Sequence, residues 1–250
     1  MEFRRFGLIG YPLSHSFSRK YFKEKFLKEG ITDCSYQIFP IQSLVELPFI
    51  LEQVTELVGL NVTIPHKIGV MHYLDELDET AKAAGAVNTI RITRNGEKPV
   101  LKGYNTDVYG FEMSLKPLLQ PNHHKALILG SGGASKAVEY VLKKIGIEYL
   151  VVSRNPQGNK QVSYAELNET AIRNFPLIVN TTPVGMFPET EAFPPLPYEH
   201  ITEQNFLFDL IYNPGETVFL KHGREKGAIT QNGMNMLILQ AEKAWEIWNS

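Results

Sequence analysis

Residues 127–137 read LILGSGGASKA, and this stretch predicts the fold of the second half of the chain. An apolar run typical of a strand leads into a glycine-rich turn, and the residues after the turn have helical spacing. Gly130 and Gly132 match the first two positions of a G-x-G-x-x-G turn, and Ser135 stands at the third. Such a turn lets the backbone approach a pyrophosphate at a helix N-terminus. It predicts dinucleotide binding, with a tight strand–helix turn as the alternative.

The end of the next predicted strand bears on the choice of cofactor. Residues 151–160 read VVSRNPQGNK and contain no acidic residue. An NAD-selective fold places Asp or Glu there, about 20 residues beyond the glycines, on the ribose hydroxyl. Arg154 instead offers a planar cation suited to a 2′-phosphate, with Ser153 beside it as a further donor. The pattern favours NADP over NAD, and a surface arginine in a turn is the alternative.

Strand-like and helix-like stretches alternate on both sides of the glycine-rich turn, which predicts an α/β fold. The predicted strands lie at residues 5–10, 34–41, 59–65, 149–153, 177–182, 205–212 and 227–230. A hairpin is predicted over residues 85–107, because Asn95-Gly96 is a strong two-residue turn signal. Counting outward from that turn pairs Arg94 with Glu97, which brings Asn88 opposite about Gly103 and close to residues 105–107.

Two domains are expected from this organisation. One comprises residues 1–107 plus 234–250, and the other comprises residues 108–233. The apolar residues at 234–248 have helical spacing, and we expect this helix to pack back on the first domain, with Trp245 and Trp248 as packing residues.

The composition argues against several classes of function. The 250 residues are 43% hydrophobic and 21% charged, with a net charge of −2, so we expect no affinity for nucleic acid or anionic membranes. No apolar run approaches the roughly 18 residues of a membrane span, and the apolar run near the N-terminus is too short for a signal peptide. We therefore expect a cytoplasmic protein. Cys34 is the single cysteine and the histidines lack metal-ligand spacing, so no metal is expected.

Residues 59–67 read GLNVTIPHK and raise the question of what Lys67 does. Apolar residues alternate with Asn61 and Thr63, which predicts a strand with one apolar and one hydrogen-bonding face. Pro65 ends the strand and Lys67 follows it. Taken alone, Lys67 is most simply a solvated side chain.

Seven stretches together resemble the shikimate dehydrogenase family, in the family's order and over nearly the whole chain. They are GYPLSHSFS, NVTIPHK, GAVNT, GYNTD, GSGGAS, NTTPVGM and LQAEKAWEIW. The resemblance implies an N-terminal α/β substrate domain, a Rossmann-like NADP-binding domain and a C-terminal helix that returns to the substrate domain. It implies an oxidoreductase that interconverts 3-dehydroshikimate and shikimate by hydride transfer with NADP, as a monomer or homodimer.

The resemblance also implies roles for individual residues. Lys67 and Asp107 would form the catalytic acid–base pair. The substrate carboxylate and ring hydroxyls would contact Ser16, Ser18, Thr63, Asn88, Asp107, Tyr212 and Gln240. The residues that the resemblance assigns to the cofactor are Gly130, Gly132, Gly133, Ala134, Ser153, Arg154, Thr181, Met186 and Gly233. Three departures from the family pattern are Arg19 in place of proline, His66 in place of the frequent phenylalanine, and the run Ser153-Arg154-Asn155.

Local alternatives stay open for most of these residues. Asp107 could be a helix N-cap, and Ser16 or Ser18 could cap a helix that begins near Arg19. Asn88 could satisfy a hairpin end, and Gln240 could be an exposed helix residue. At the level of function, the alternatives are an NAD(P)-dependent quinate/shikimate dehydrogenase and a non-catalytic relative that senses quinate or shikimate.

Overall fold

The computed structural model describes residues 3–13, 17–94, 96 and 98–250. The chain divides into two compact units, one formed by Met1–Thr106 with Ala241–Ser250 and the other by Asp107–Gln240. The division into a substrate domain and a cofactor domain at residues 107 and 234 stays a prediction.

The first unit is built on a mixed sheet with strand order β2-β1-β3-β5-β6-β4. Parallel pairs join β1 to β2 and β3, and β6 to β4, whereas β5 is antiparallel to both β3 and β6. The strands are β1 (Arg4–Gly10), β2 (Cys34–Pro40), β3 (Leu57–Val62), β4 (Glu76–Leu77), β5 (Thr89–Thr93) and β6 (Val100–Tyr104). The helices are α1 (Phe17–Lys28), α2 (Leu47–Gln53) and α3 (Glu79–Ala84).

The hairpin formed by β5 and β6 has a different register from the one that the two-residue turn predicted. Gly103 pairs with Ile90, and Tyr104 pairs with Thr89, so the placement of Asn88 opposite Gly103 was wrong. The ladder ends at the pair Thr93–Val100. The residue before Val100 is a proline, which has no N–H to donate to a further ladder bond.

Helix α8 (Met234–Trp248) contributes its residues from 241 onward to the first unit. The Trp248 ring stacks on Phe6 at 4.9 Å between centroids, and its indole N–H donates to the Ile90 carbonyl over 3.0 Å. Gly59 makes room for this indole, because a Cβ there would lie 2.4 Å from Trp248 Nε1. Trp245 lies edge-on to Phe6 at 5.3 Å. The return of this helix and the packing role of both tryptophans are confirmed.

The second unit has a wholly parallel sheet with strand order β12-β11-β10-β7-β8-β9. Its strands are β7 (Lys125–Leu129), β8 (Glu148–Val152), β9 (Gln161–Val162), β10 (Leu177–Asn180), β11 (Phe206–Asp209) and β12 (Ile229–Gln231). Its helices are α4 (Thr106–Leu115), α5 (Gly133–Lys144), α6 (Glu169–Asn174) and α7 (Val218–Glu225), followed by the first part of α8. Counted from β7, this is the doubly wound order, which reverses direction between β7 and β10. The expected Rossmann-like fold is confirmed.

The central strands of this sheet are buried on both faces, as a parallel sheet covered by helices requires. Every residue of β10 and β11 is buried, and so are the last four residues of β7. In such folds, ligands bind outside the carboxyl ends of the strands at the point where the order reverses. A ligand site is therefore expected beside the residues that follow β7 and β10.

Candidate active site

The glycine-rich turn lies at the carboxyl end of β7. Gly130 has a φ of +101°, and a Cβ there would lie 2.8 Å from Thr182 Cγ2, so this position requires glycine. Gly132 precedes α5, and a Cβ built on it would have no neighbour within 4 Å. That open space and the free N–H groups of Gly133 and Ala134 fit a pyrophosphate.

Ser135 fulfils the role of the third glycine in the turn. Its side chain is fully buried, and its hydroxyl donates to the Gly132 carbonyl over 2.6 Å. The small side chain allows the helix to pack closely, and the hydrogen bond satisfies the polar atom that burial would otherwise leave unpaired. The departure from glycine is thus accommodated without changing the turn.

Thr181 lies beside the turn because β7 and β10 are neighbours. Its N–H and its hydroxyl both donate to the Leu129 carbonyl, over 3.0 and 2.7 Å. Met186 lies further along the same loop and is 44% exposed. The structure therefore brings Thr181 to the glycine-rich turn, and its contact with a cofactor stays a prediction.

Arg154 lies on the exposed loop after β8, next to the same turn. The Gly130 N–H donates to the Val152 carbonyl over 2.8 Å, which joins the two strand ends. Ser153 accepts a hydrogen bond from the Asn155 N–H over 3.2 Å, so its hydroxyl oxygen shapes the loop. Burial raises the pKa of Tyr164, and the nearby charge of Arg154 opposes that rise. The guanidinium therefore lies near Tyr164 at this edge of the sheet.

Gly233 has a structural role that does not depend on a cofactor. A Cβ at this position would lie 2.1 Å from the Leu210 carbonyl oxygen, and the Gly233 N–H donates to the Ile211 carbonyl over 2.9 Å. Any side chain would displace the backbone that follows β11. Packing alone thus accounts for glycine here, and contact with the cofactor stays a prediction.

In the first unit, Lys67 is half-buried beyond the end of β3. The Val87 N–H donates to the Lys67 carbonyl over 2.8 Å. The neighbouring Asn88 is 3% exposed, and its side chain accepts from the Thr106 N–H over 2.7 Å and donates to the Thr106 hydroxyl over 3.0 Å. The expected nearness of Asn88 to residue 106 is confirmed, and so is the interpretation that Asn88 satisfies the hairpin end.

Asp107 follows Thr106 directly and is 9% exposed. It is the second residue of α4, which puts it inside the first turn rather than at the N-cap position before the helix. A carboxylate in a first turn interacts favourably with the free N–H groups of that turn. The capping alternative for Asp107 is therefore wrong.

Ser18 is the second residue of α1, so it lies within the helix and does not cap it. It donates a hydrogen bond to the buried Tyr36 hydroxyl. Burial raises the pKa of Tyr36, and this hydrogen bond opposes the rise. Tyr36 in turn donates to Asn61 Oδ1 over 2.7 Å, and Asn61 donates to Thr89 Oγ1 over 3.2 Å. Ser16, the other predicted carboxylate ligand, lies outside the described residues.

Thr63 and His66 occupy the segment between β3 and Lys67. The Thr63 methyl packs beside Gly10, where a Cβ would lie 2.4 Å from it, and its N–H donates to the Ile9 carbonyl over 3.0 Å. His66 is 5% exposed, and its Nε2 lies 2.9 Å from the Ile41 carbonyl oxygen. The buried histidine ring therefore makes a hydrogen bond that a phenylalanine at this position could not make.

Gln240 and Tyr212 belong to the second unit. Gln240 is 7% exposed, so the alternative of an exposed helix residue is wrong. Its Nε2 donates to the Leu237 carbonyl over 2.9 Å, and its Cβ packs over Gly110. Tyr212 is half-buried, and burial raises the pKa of its hydroxyl.

Two groups were not expected from the sequence. Asp209 and Asn180 end β11 and β10, both are fully shielded from solvent, and Asn180 Nδ2 donates to Asp209 Oδ1 over 3.0 Å. Tyr36 links Ser18 to Asn61. A polar residue at the end of an otherwise apolar strand was the available signal for the first pair, because parallel strands place such ends side by side.

Residues 3–13, 17–94, 96 and 98–250 contain no group of three or more His, Cys, Asp or Glu side chains that could hold a metal ion. Within the same ranges, no helix combines the length and apolar character needed to cross a bilayer.

Known proteins similar to this chain were found by sequence and by structure. A profile of the shikimate dehydrogenase substrate binding domain matches residues 8–90. The shikimate dehydrogenase (NADP(+)) of Methanococcus maripaludis strain C6 is 40% identical over 262 residues, covering 97% of this chain and 90% of the relative.

Solved structures agree in fold over nearly the whole length. Shikimate 5-dehydrogenase from Thermus thermophilus, in complex with NADP(H) and shikimate, is 34% identical, with a TM-score of 0.84 over 98% of this chain and 93% of that chain. Quinate dehydrogenase from Corynebacterium glutamicum, in complex with NAD, is 27% identical, with a TM-score of 0.86 over 99% and 94% of the two chains. By its identity to curated relatives along almost its entire length, this chain belongs to the shikimate dehydrogenase family.

Proposed function

We propose that this chain interconverts 3-dehydroshikimate and shikimate with NADP, and that Lys67 and Asp107 are its acid–base pair. The observation that carries the proposal is the glycine-rich turn at the reversal point of a wholly parallel sheet, in a chain that keeps Lys67 and Asp107. The 40% identity to a shikimate dehydrogenase (NADP(+)) supports the same substrate and cofactor. The enzyme is thus an NADP-dependent oxidoreductase.

The cofactor assignment follows from the edge of the second sheet. The N-terminus of α5 would hold the pyrophosphate, since the space beside Gly132 is open to it. Arg154 would pair with the 2′-phosphate, for which a guanidinium is well suited. Thr181 and Met186 would lie on the nicotinamide side. When bound, NADPH supplies a hydride to the carbonyl carbon of the substrate.

Lys67 is the residue that we assign to proton transfer. As hydride arrives at the carbonyl carbon, negative charge develops on the oxygen, and a positioned ammonium supplies a proton there. In the opposite direction, the neutral amine removes the proton from the substrate hydroxyl. Asp107 would orient the ammonium and accept a hydrogen bond from a substrate hydroxyl. The hydrogen bonds from Val87 to Lys67 and from Thr106 to Asn88 support this role, since they fix the backbone at Lys67 and at the residue before Asp107.

Substrate binding would involve polar side chains that offer hydroxyl, amide and carboxylate groups. Hydroxyl donors orient a carboxylate without adding charge, which suits a chain of nearly balanced charge. The groups proposed to contact the carboxylate are Ser16, Ser18 and Tyr212. Those proposed for the ring hydroxyls are Thr63, Asn88, Asp107 and Gln240.

Turnover of Lys67→Ala and Asp107→Asn tests the proposed pair. Each variant should lose about 10²–10⁴-fold in kcat, the usual contribution of a positioned acid or base. Lys23→Ala is the matched control, because Lys23 is an exposed lysine of α1. A loss below about tenfold in both variants, which corresponds to about 1.4 kcal/mol of barrier, would contradict direct roles.

The second candidate function is a quinate/shikimate dehydrogenase that accepts NAD. The observation that raises it is the similarity to the quinate dehydrogenase bound to NAD, whose 27% identity is below the 34% of the shikimate dehydrogenase bound to NADP(H). Steady-state rates with shikimate and quinate, each with NADP and NAD, separate the two candidates. Shikimate with NADP should give the highest kcat/KM, and a higher value for quinate with NAD would reverse the assignment.

A further inference from the structure

Asp209 is a buried carboxylate that the proposed chemistry does not use. It ends β11 and is fully shielded from solvent. Its Oδ1 accepts hydrogen bonds from Asn180 Nδ2 and from the Ile211 N–H, each over 3.0 Å. Its Oδ2 accepts from the Thr217 hydroxyl over 2.6 Å. One side chain thus joins three segments of the second unit.

The first of these segments continues into the loop that carries Thr181 and Met186. Asn180 Oδ1 accepts from the Thr182 N–H over 3.0 Å and from the Thr182 hydroxyl over 2.7 Å. The Thr182 oxygen then accepts from the Val184 N–H over 3.3 Å. The course of residues 181–186 therefore depends on an amide that Asp209 holds in place.

The other two segments bound the loop that carries Tyr212. Ile211 begins this loop, and Thr217 ends it as the N-cap of α7, accepting from the Leu220 N–H over 3.4 Å. The two loops also meet directly, because the Phe187 N–H donates to the Asn213 carbonyl over 3.2 Å. Asp209 lies at the base of both loops.

A carboxylate is an unfavourable group to bury among neutral donors. Burial raises the pKa of Asp209 to about 6, although its three hydrogen bonds oppose the rise. The titratable group that feels this charge is Tyr198, whose pKa is raised by burial and further by Asp209. A carboxylate nonetheless accepts from donors at both oxygens, which no amide or hydroxyl can match. Such an arrangement is expected where several backbone segments must be fixed at once.

We propose that Asp209 is a positioning residue for hydride transfer, whose carboxylate fixes the loop of Thr181 and Met186 against the loop of Tyr212. The inference rests on the proposed function for the roles of those three residues. Asp209 itself contacts neither substrate nor cofactor and acts through Asn180, Thr182 and Thr217. We name these four residues the Asp209 network.

The expected consequence is a change in kcat rather than in cofactor affinity. The groups proposed to hold the phosphates follow β7 and β8, whereas the Asp209 network lies at the ends of β10 and β11, in the loop after β10 and at the N-cap of α7. Loosening the network would misplace the nicotinamide ring relative to the substrate, and small misplacements of reacting groups lower rates strongly.

Asp209→Ala, Asp209→Asn and Thr182→Val test this inference, with Asn205→Ala as the matched control. Asn205 is a buried amide at the opposite end of β11, with its own hydrogen bonds to Thr202 and Pro176. Asp209→Ala should lower kcat at least tenfold while the Kd of NADPH changes less than threefold. Asp209→Asn keeps an acceptor oxygen for Asn180 and Ile211 but loses the one for Thr217, so it should recover only part of kcat. Asn205→Ala should keep kcat despite a comparable loss in Tm.

Fluorescence of bound NADPH gives a readout apart from turnover, because its emission reports the surroundings of the nicotinamide. Asp209→Ala and Thr182→Val should alter this emission, and Asn205→Ala should not. Thr182→Val leaves the carboxylate in place, so it keeps the inference testable if Asp209→Ala does not fold. Unchanged kcat and emission in the folded Asp209 and Thr182 variants would overturn the inference, as would an equal loss in Asn205→Ala. A wild-type protein that binds NADPH but does not oxidise shikimate when NADP⁺ is supplied would overturn the proposed function instead.

Discussion

Each unit contains a buried polar network, and the two networks differ in charge. In the first unit, Tyr36, Asn61, Asn88, Thr89 and Thr106 form what we call the Asn88 network, which consists of neutral groups. In the second unit, the Asp209 network has a carboxylate at its centre and neutral partners. Neutral groups avoid the desolvation of a charge, so the stability of the first network should not depend on pH, whereas that of the second should.

The largest effect is expected from breaking the neutral network at its centre. Asn88→Ala removes the acceptor of the Thr106 N–H and the donor to the Thr106 hydroxyl, both buried. Unpaired buried polar groups should lower the free energy of unfolding by about 3 kcal/mol, which urea denaturation measures. The loss should be the same at pH values near neutral and below it.

The control for this variant is Asn168→Ala, which removes an exposed N-cap amide of α6. It should lower the free energy of unfolding by about 1 kcal/mol. An Asn88→Ala loss no greater than that of the control would mean that water replaces the missing amide.

The second prediction concerns how the charge of Asp209 makes the free energy of unfolding depend on pH. The pKa of Asp209 in the folded protein is about 6, above the ordinary value of 3.8. A raised pKa means that the folded state binds the proton more tightly, so the resulting stability is present at low pH and is lost as the pH rises through about 6. Between about pH 7.5 and about pH 5, protonation of Asp209 should add about 1.4 kcal/mol to the free energy of unfolding.

Asp209→Asn removes this contribution, so its unfolding free energy should rise less than that of the wild type over the same interval. The difference between the two pH profiles reports the contribution of Asp209 alone, because both proteins keep the other titratable groups. One of these is Glu112, whose contribution to stability changes with pH in the opposite direction. Burial raises the pKa of Glu112, but hydrogen bonds from Lys116 and Lys144 lower it overall. Parallel pH profiles for the wild type and Asp209→Asn would contradict the assignment of a raised pKa.

The smallest effect is expected from trimming the edge of the neutral network. Tyr36→Phe removes the hydroxyl that accepts from Ser18 and donates to Asn61. The free energy of unfolding should fall by about 1 kcal/mol, and the KM for shikimate should rise a few-fold, because Ser18 loses the group that orients it. Tyr73→Phe changes an exposed tyrosine of the same unit and should leave both quantities unaltered. An unchanged KM in Tyr36→Phe would contradict the proposed contact between Ser18 and the substrate carboxylate.

The second unit was the more predictable half of the fold because its signals are local. The glycines at 130 and 132, the strand before them and the helix after them lie within a dozen residues, and each constrains the backbone directly. The strand order then follows from the few topologies that strand–helix–strand units allow. Ser135 shows that the third position of the turn requires a small side chain whose polar atom is hydrogen-bonded, rather than glycine itself.

What could not be predicted depends on contacts between distant residues. The hairpin register is set by where the ladder ends, beside Pro99, and a turn signal at Asn95-Gly96 does not reveal that end. The alternative of an exposed Gln240 was wrong because its burial arises from packing over Gly110, far away in sequence. Asp209 and Asn180 each end an apolar strand, and only the pairing of β10 with β11 makes them partners.

The discontinuous first unit has a consequence for biosynthesis on the ribosome. Its aromatic core includes Trp248, and the Tyr21 hydroxyl and the Lys25 ammonium both bind Glu242. These late residues emerge only after the whole of the second unit has been translated. Until then, the space over Gly59 lacks its indole, so the unit that is translated first completes its core last.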